Sequence, residues 1–166
     1  MKYLKLFILL IFSINLHAEI TLDNTLNNGG ALKGPDYMIG AELGQRHGSN
    51  LFHSFAKFNI NLDESATFSG PNNINNIISR VTGGSISNID GMLTSTIPNA
   101  NFYLINPAGL IFGPNATLDV QGSFHASSAN TLYLQDGGQF NATNPQNSNL
   151  TVAPITSFGF LNNAPA

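Results

Sequence analysis

An all-β chain that winds through many short strands is the fold class the sequence predicts, and three observations predict it. The first is the stretch from Asn101 to Ala129, NFYLINPAGLIFGPNATLDVQGSFHASSA. Its apolar and β-branched runs (Phe102–Ile105, Leu110–Phe112, Thr117–Val120 and Ser123–Ala126) are three or four residues long. They are parted by Asn106-Pro107-Ala108-Gly109, Gly113-Pro114-Asn115 and Gln121-Gly122. Proline cannot donate to a ladder, and glycine and asparagine accept positive φ, so no helix of ordinary length fits between these breakers. The second is composition: charged residues make up 9%, against about a quarter in ordinary domains, while there are 16 glycines and 12 phenylalanines. Disorder goes with high charge and few aromatics. Low charge with abundant Asn and Gly suits stacked β structure, in which side-chain amides form ladders and glycines turn corners. The third is the absence of cysteine, which leaves core and ladders alone to hold the fold. It also suits a chain that must stay unfolded while crossing a second membrane.

Lys2 and Lys5 form a basic start, Leu6 to Leu16 is apolar, and Leu16-His17-Ala18 supplies a cleavage site. Together these predict a signal peptide over residues 1–18; the apolar run falls short of the ~20 residues a membrane-spanning helix needs. The exported domain is then residues 19–166. It keeps four basic residues against nine acidic ones, which argues against nucleic acid or an anionic membrane surface as partner.

Taken in order, Glu19 to Leu26 alternates apolar and polar residues, as a strand with one buried face does. Asp36 to Leu43 is a second short strand, and Gly44 to Asn50 reads as a polar loop. In Leu51 to Leu62 the apolar parity switches near Ser54–Ala56, which predicts a bulge or corner there. Ser65 to Ser69 is a further strand. In Asn73 to Val81, Ile74, Ile77, Ile78 and Val81 match the helical spacing, but β-branched residues, asparagines and the stop Gly83-Gly84 favour a strand. Ser85–Ile89 and Met92–Ser95 keep the rhythm. Beyond Ala129, Thr131–Leu134, Gln139–Ala142, Leu150–Val152 and Ser157–Leu161 are strands, with a loop over 144–149. Ile89-Asp90-Gly91, Ile105 to Gly109 and Val120-Gln121-Gly122 share a pattern, with glycines 18 and 13 positions apart. Such loose spacing fits the unequal coils of a solenoid, and apolar strand chemistry close to the end predicts an uncapped last rung.

The motifs NLFHSF (Asn50 to Phe55), RVTGG (Arg80 to Gly84), Ile89-Asp90-Gly91 and NPAGL (Asn106 to Leu110, followed by Gly113) resemble the filamentous-haemagglutinin N-terminal domain. This is also called the two-partner secretion, or haemagglutination activity, domain, and the resemblance runs from Ile20 to Leu161. It implies a right-handed parallel β-helix with an N-terminal cap and extra-helical strands. It implies secretion through an outer-membrane β-barrel transporter whose periplasmic domains bind this region. A longer adhesin, haemolysin or contact-dependent toxin would follow and meet a host or neighbouring cell surface. Where the family shows NPNGI, Asn106, Pro107 and Gly109 match while Ala108 and Leu110 depart. The departure removes one hydrogen-bonding side chain but keeps the turn-forming pair. The family's NPNL motif has no clear counterpart.

The candidate partner-binding residues are Asn106, Pro107 and Gly109, with Asn50, Leu51, Phe52, His53 and Phe55. Each has a plainer reading beside it: turn chemistry explains the first group, and core or cap packing explains the aromatics of the second. His47, His53 and His125 lack the spacing of a metal site. Asp90 and Asp119 raise a polysaccharide-cleaving β-helix, which needs two carboxylates across a cleft, but the acidic residues are scattered singly. The sequons at Asn115, Asn141 and Asn149 bear only on a eukaryotic secretory route. Neither catalysis nor a cofactor is expected. The main alternative is a stand-alone β-solenoid adhesin or carbohydrate-binding module, which would display an exposed aromatic or amide row.

Overall fold

The computed structural model describes residues 19–161, so the expected signal peptide lies outside the described residues. The fold is all-β, a parallel β-solenoid of about four turns. β1 (Ile20–Leu22) and β2 (Gly30–Ala31) pair antiparallel at the start. β3 (Asp36–Gly40) begins a back sheet, and a 3-10 turn at Ala41–Leu43 leads to β4 (Gln45–His47) and the long β5 (Asn50–Phe58). β6 (Ser65–Ser69), β7 (Asn76–Val81), β8 (Ser87–Ile89) and β9 (Met92–Ser95) follow. β10 (Asn101–Ile105), β11 (Leu110–Phe112), β12 (Thr117–Asp119) and β13 (Phe124–Ser127) complete the winding. β14 (Thr131–Leu134), β15 (Gln139–Asn141) and β16 (Ile155–Gly159) form a separate antiparallel sheet.

A front sheet stacks β5, β7, β10 and β13, a back sheet stacks β3, β6, β9 and β12, and a side sheet pairs β8 with β11. Alternation along each strand sends one parity into the solenoid. In the front sheet Leu51, Ile77, Phe102 and Phe124 lie in one inward column, so successive coils advance by 26, 25 and 22 residues. Tyr37, Ala66, Leu93 and Leu118 form the column facing them, and Ile60, Ile89 and Phe112 the one at the side. Phe68 sits among the rings of His53, Phe55, Phe58 and Phe102, the last at 4.7 Å between centroids. Each phenylalanine buried this way contributes about 1.5–3 kcal/mol.

Two devices close the first coil and cover its front. The free edge of β5 is paired antiparallel by β4 at one end and β1 at the other, which removes an exposed ladder edge. The antiparallel sheet lies on the outer face of the front sheet, where Leu132, Leu134, Phe140 and Ala142 pack with Phe52, Ile78 and Ile105.

The structure agrees with some expectations and revises others. Asn73–Val81 yields the strand β7, and the helical spacing of its isoleucines has a simple cause. Ile77 faces the solenoid core while Ile78 faces the antiparallel sheet, so both parities are apolar. The bulge in β5 falls at Ala56, because Thr21 pairs with Lys57 while Leu22 pairs with Phe55. The first strand stops at Leu22, where Asp23 and Asn24 turn the chain, and residues 41–43 are a 3-10 turn instead of strand. The polar loop 44–50 contains β4, which meets β5 through a tight turn with Gly48 at φ 59°. Leu150–Val152 is not a strand; the last one is Ile155–Gly159. The three glycine corners are also not equivalent. Gly91 turns from side to back, Gly109 from front to side and Gly122 from back to front.

Candidate partner-recognition segments

The Asn106-Pro107-Ala108-Gly109 corner joins β10 to β11, and Asn106 is wholly buried. Its Nδ2 donates to the Ser85 carbonyl and to Ser87 Oγ, both at 2.9 Å, tying the corner to the coil below. Its Oδ1 accepts the Ala108 N–H at 3.0 Å and its carbonyl accepts the Gly109 N–H at 2.9 Å. Its own N–H donates to Ser127 of the coil above at 3.0 Å. Gly109, at φ 111°, occupies backbone space that a side chain would strain. Pro107 and Gly109 are half-buried. This corner and the Thr82-Gly83-Gly84 corner beneath it meet at a small cleft of about 140 Å³ that includes Val81, Thr82, Gly84, Asn106 and Pro107. Gly83 is required there, since a Cβ would collide with the Ala56 carbonyl. The structure therefore brings together two of the motifs read in the sequence.

The other candidates, Asn50, Leu51, Phe52, His53 and Phe55, lie on β5 and are all buried. Leu51, His53 and Phe55 point into the solenoid, while Asn50 and Phe52 point beneath the antiparallel sheet. Phe52 meets Phe140 edge-on at 5.1 Å. Asn50 starts an amide ladder. Asn76 Nδ2 donates to Asn50 Oδ1 at 2.9 Å, and Asn101 Nδ2 to Asn76 Oδ1 at 3.3 Å. Asn101 Oδ1 then accepts the Ser123 N–H at 3.0 Å. Asn50 Nδ2 also donates to the carbonyls of Thr151 and Ala153 at 3.1 and 2.8 Å, fastening the antiparallel sheet's long loop to the first coil.

His53 is enclosed entirely, and burial pushes its pKa down to about 4. Its Nε2 lies 3.2 Å from the Gly40 carbonyl, a contact that requires the proton on Nε2 and leaves Nδ1 bare. Neither Nδ1 nor the Oγ of Ser79, its register neighbour on β7, has a hydrogen-bond partner among the described residues.

Sequence reasoning missed the most connected side chain. Arg80, within RVTGG but not singled out by itself, is buried on the outward face of β7. Its Nε donates to Ser54 Oγ at 2.7 Å and its Nη2 to Thr25 Oγ1 at 2.8 Å. Its Nη1 reaches the Asn141 carbonyl at 2.7 Å and Ser148 Oγ at 2.6 Å. Its guanidinium lies 4.1 Å above the Phe140 ring. Asp23 accepts from Ser54 Oγ at 2.6 Å, Thr82 Oγ1 at 2.7 Å and the Thr25 N–H at 3.0 Å. Burial pushes the Asp23 carboxyl up, and these bonds outweigh it and hold the group below its ordinary range. Burial lowers Arg80 to about 10, partly offset by Asp23, so the guanidinium stays charged at neutral pH. One cation thus joins the cap, the second coil and the antiparallel sheet. The available signal was an arginine beside Ile78 and Val81 in a chain with only six basic residues.

The far end of the solenoid is open. Phe112 and Leu118 occupy inward positions yet are 41% and 46% exposed, whereas their column mates Ile89 and Leu93 are fully buried. Acidic residues gather at one corner, where Asp36, Asp63, Glu64 and Asp90 line a shallow groove. Three of them are engaged locally: Asp36 by Ser65 Oγ, Glu64 by the Asn61 N–H, and Asp90 by the N–H and Nδ2 of Asn115. Asp119 Oδ1 accepts from Gln121 at 3.4 Å. No group of three or more His, Asp or Glu able to hold a metal occurs among the described residues.

The class that this geometry defines is a capped parallel β-solenoid bearing an antiparallel sheet on its front face. The TPS secretion domain family matches residues 18–164, nearly the whole chain, and the chain belongs to that family. Membership gives it a role in two-partner secretion and implies an outer-membrane transporter as partner. It also implies a protein secreted by Gram-negative bacteria, in a family that is not enzymatic. No curated protein and no solved structure matches the chain.

Proposed function

We propose that this domain is the secretion-recognition unit of an exoprotein, bound by the transporter's periplasmic domains before its coils close and folding outside the cell. One observation carries this reading. The candidate recognition residues Asn50, Leu51, Phe52, His53, Phe55 and Asn106 are buried in the folded domain, so a partner reaches their side chains only in an open chain. β5 is the natural contact. Its edge is held in the folded state by two strands of only three residues each, β1 and β4. A transporter sheet edge can occupy that edge by strand addition until the cap returns. The leader over residues 1–18 delivers the chain to the periplasm. Outside, the closed first coils template later ones, and the passenger that follows determines any contact with a host or neighbouring cell.

A stand-alone glycan-binding module is less well supported. The amide row Asn50, Asn76 and Asn101 exists, but its groups are spent on one another and on the backbone. The test is secretion of the chain with and without its cognate barrel. Release to the medium should require the barrel, with retention in the periplasm when it is deleted. Equal release in both strains would refute the proposal.

A further inference from the structure

His53 stands inside the turn that carries one of the two strands covering β5. The 3-10 turn Ala41–Leu43 is flanked by Gly40 and Gly44 and delivers the chain to β4. Both flanking glycines lie against the imidazole. Nε2 donates to the Gly40 carbonyl at 3.2 Å, and a Cβ on Gly44 would meet the Phe52 carbonyl and the His53 ring. The ring also meets those of Phe55 and Phe68, and Ser79 is its register neighbour on β7. Shape and one hydrogen bond therefore hold it, with Nδ1 unpartnered among the described residues. β4 has little hold of its own, because none of its three residues is buried. It depends on backbone pairing to Asn50–Phe52, on Gln45 Nε2 donating to the Leu26 carbonyl at 2.6 Å, and on the turn behind it.

We infer that His53 is a proton-operated latch on this cover: a proton on Nδ1 drives the imidazole from its enclosure, displaces the turn and releases β4, opening the Asn50–Phe52 edge of β5 to a partner strand. The device regulates the contact proposed above and rests on that reading. A charge on the enclosed ring is poorly met. Among the described residues, the charge that reaches it is that of Glu42, whose carboxylate folds back over Gly40. Glu42 is exposed, so water and salt screen its attraction, and it does not offset burial. β5, β6 and β7 present Phe55, Phe68 and Ser79 to the ring, none of which carries a charge. His47, on β4 itself, packs edge-on against Phe52, which points to the opposite face of β5, so a variant at position 53 separates the two histidines. The closed turn refuses the proton and the released one accepts it. The released fraction therefore grows as pH falls below 6.5 and stays level above it. At pH 5.5 it should be about tenfold larger than at pH 7.5.

The test is binding of the refolded domain to the cognate transporter's periplasmic domains at pH 7.5 and 5.5. Each value is divided by the binding of chain freshly diluted from urea at the same pH, which cancels any titration of the transporter. Wild type should gain about tenfold on acidification, since apparent affinity follows the competent fraction, and His53→Phe should gain little. Native-state amide exchange on the wild type, corrected for the intrinsic effect of pH, gives a readout that does not need the variant to fold. Gln45–His47 should open about tenfold more often at pH 5.5, with little dependence on added urea, as a local opening does. Opening of β4 with the urea dependence of the whole domain would overturn the latch, and so would an equal gain in His53→Phe. No gain in wild type while the fresh chain binds would also overturn it and leave recognition of the open chain standing. A fresh chain that fails to bind at either pH would overturn that reading and the latch with it.

Discussion

Replacing Arg80 with methionine should destabilise the domain by about 3–5 kcal/mol, the usual cost of removing one partner from a buried, hydrogen-bonded charge network. Methionine preserves much of the volume over Phe140, so the loss reports the guanidinium. What remains is the partly buried Asp23 carboxylate without the Arg80 cation, together with the Asn141 carbonyl deprived of the guanidinium that donates to it. For a domain of this size, such a loss lowers Tm by roughly 10 °C. Urea denaturation of wild type and variant measures it. Lysine should fail to rescue, because bonds to Thr25, Ser54, Asn141 and Ser148 leave in three directions that one ammonium cannot match. Amide exchange should rise first in Thr131–Leu134 and Gln139–Asn141, the strands that the network fastens. A loss below about 1 kcal/mol, the range of an exposed ion pair, would show that Arg80 does not join these layers.

Acid should open the domain through His53. Its folded-state pKa is about 4, below the ordinary 6.5 of an open chain. Between those values the unfolded state binds a proton that the folded state refuses. Stability from this group is therefore complete above pH 6.5 and is lost as pH falls towards 4. The loss reaches about 3 kcal/mol by pH 4, with a slope approaching 1.4 kcal/mol per pH unit. The Gly40 carbonyl and the Glu42 charge oppose burial but do not restore the ordinary value. Nδ1, where the added proton would sit, is buried with no hydrogen-bond partner among the described residues. Below the usual aspartate range the protonation of Asp23 adds a further loss. Denaturation midpoints measured from pH 7.5 to 4 on wild type and His53→Phe separate the histidine's share. The variant should show a flatter profile over that window whatever its absolute stability; parallel profiles would contradict the assignment.

The sequence makes the winding legible because each corner needs its own turn chemistry and each strand its own alternation. Asn101 to Val120 could be divided into β10, β11 and β12 on those grounds alone. The amide ladder was foreshadowed by Asn-rich composition, though not its register. The coil length was hidden, because glycines mark corners of different kinds, and 18 and 13 are distances between unlike corners. The period lives in Leu51, Ile77, Phe102 and Phe124, which resemble any other apolar residue until they stack. β4 was invisible for another reason. Gln45-Arg46-His47 is an edge strand held by backbone pairing to β5, with side chains that carry no apolar pattern. The role of Arg80 depends on partners 26 to 68 positions away, and no local pattern records them.

The most direct test of the account is the affinity of the cognate transporter's periplasmic domains for this domain in two states. One sample is diluted rapidly from urea onto the immobilised periplasmic domains, and the other is refolded beforehand. The account predicts binding of the freshly diluted chain that decays as it folds. The refolded domain should bind at least about tenfold more weakly, because apparent affinity falls with the fraction of open chain. Equal affinity for the two samples would contradict recognition before the coils close.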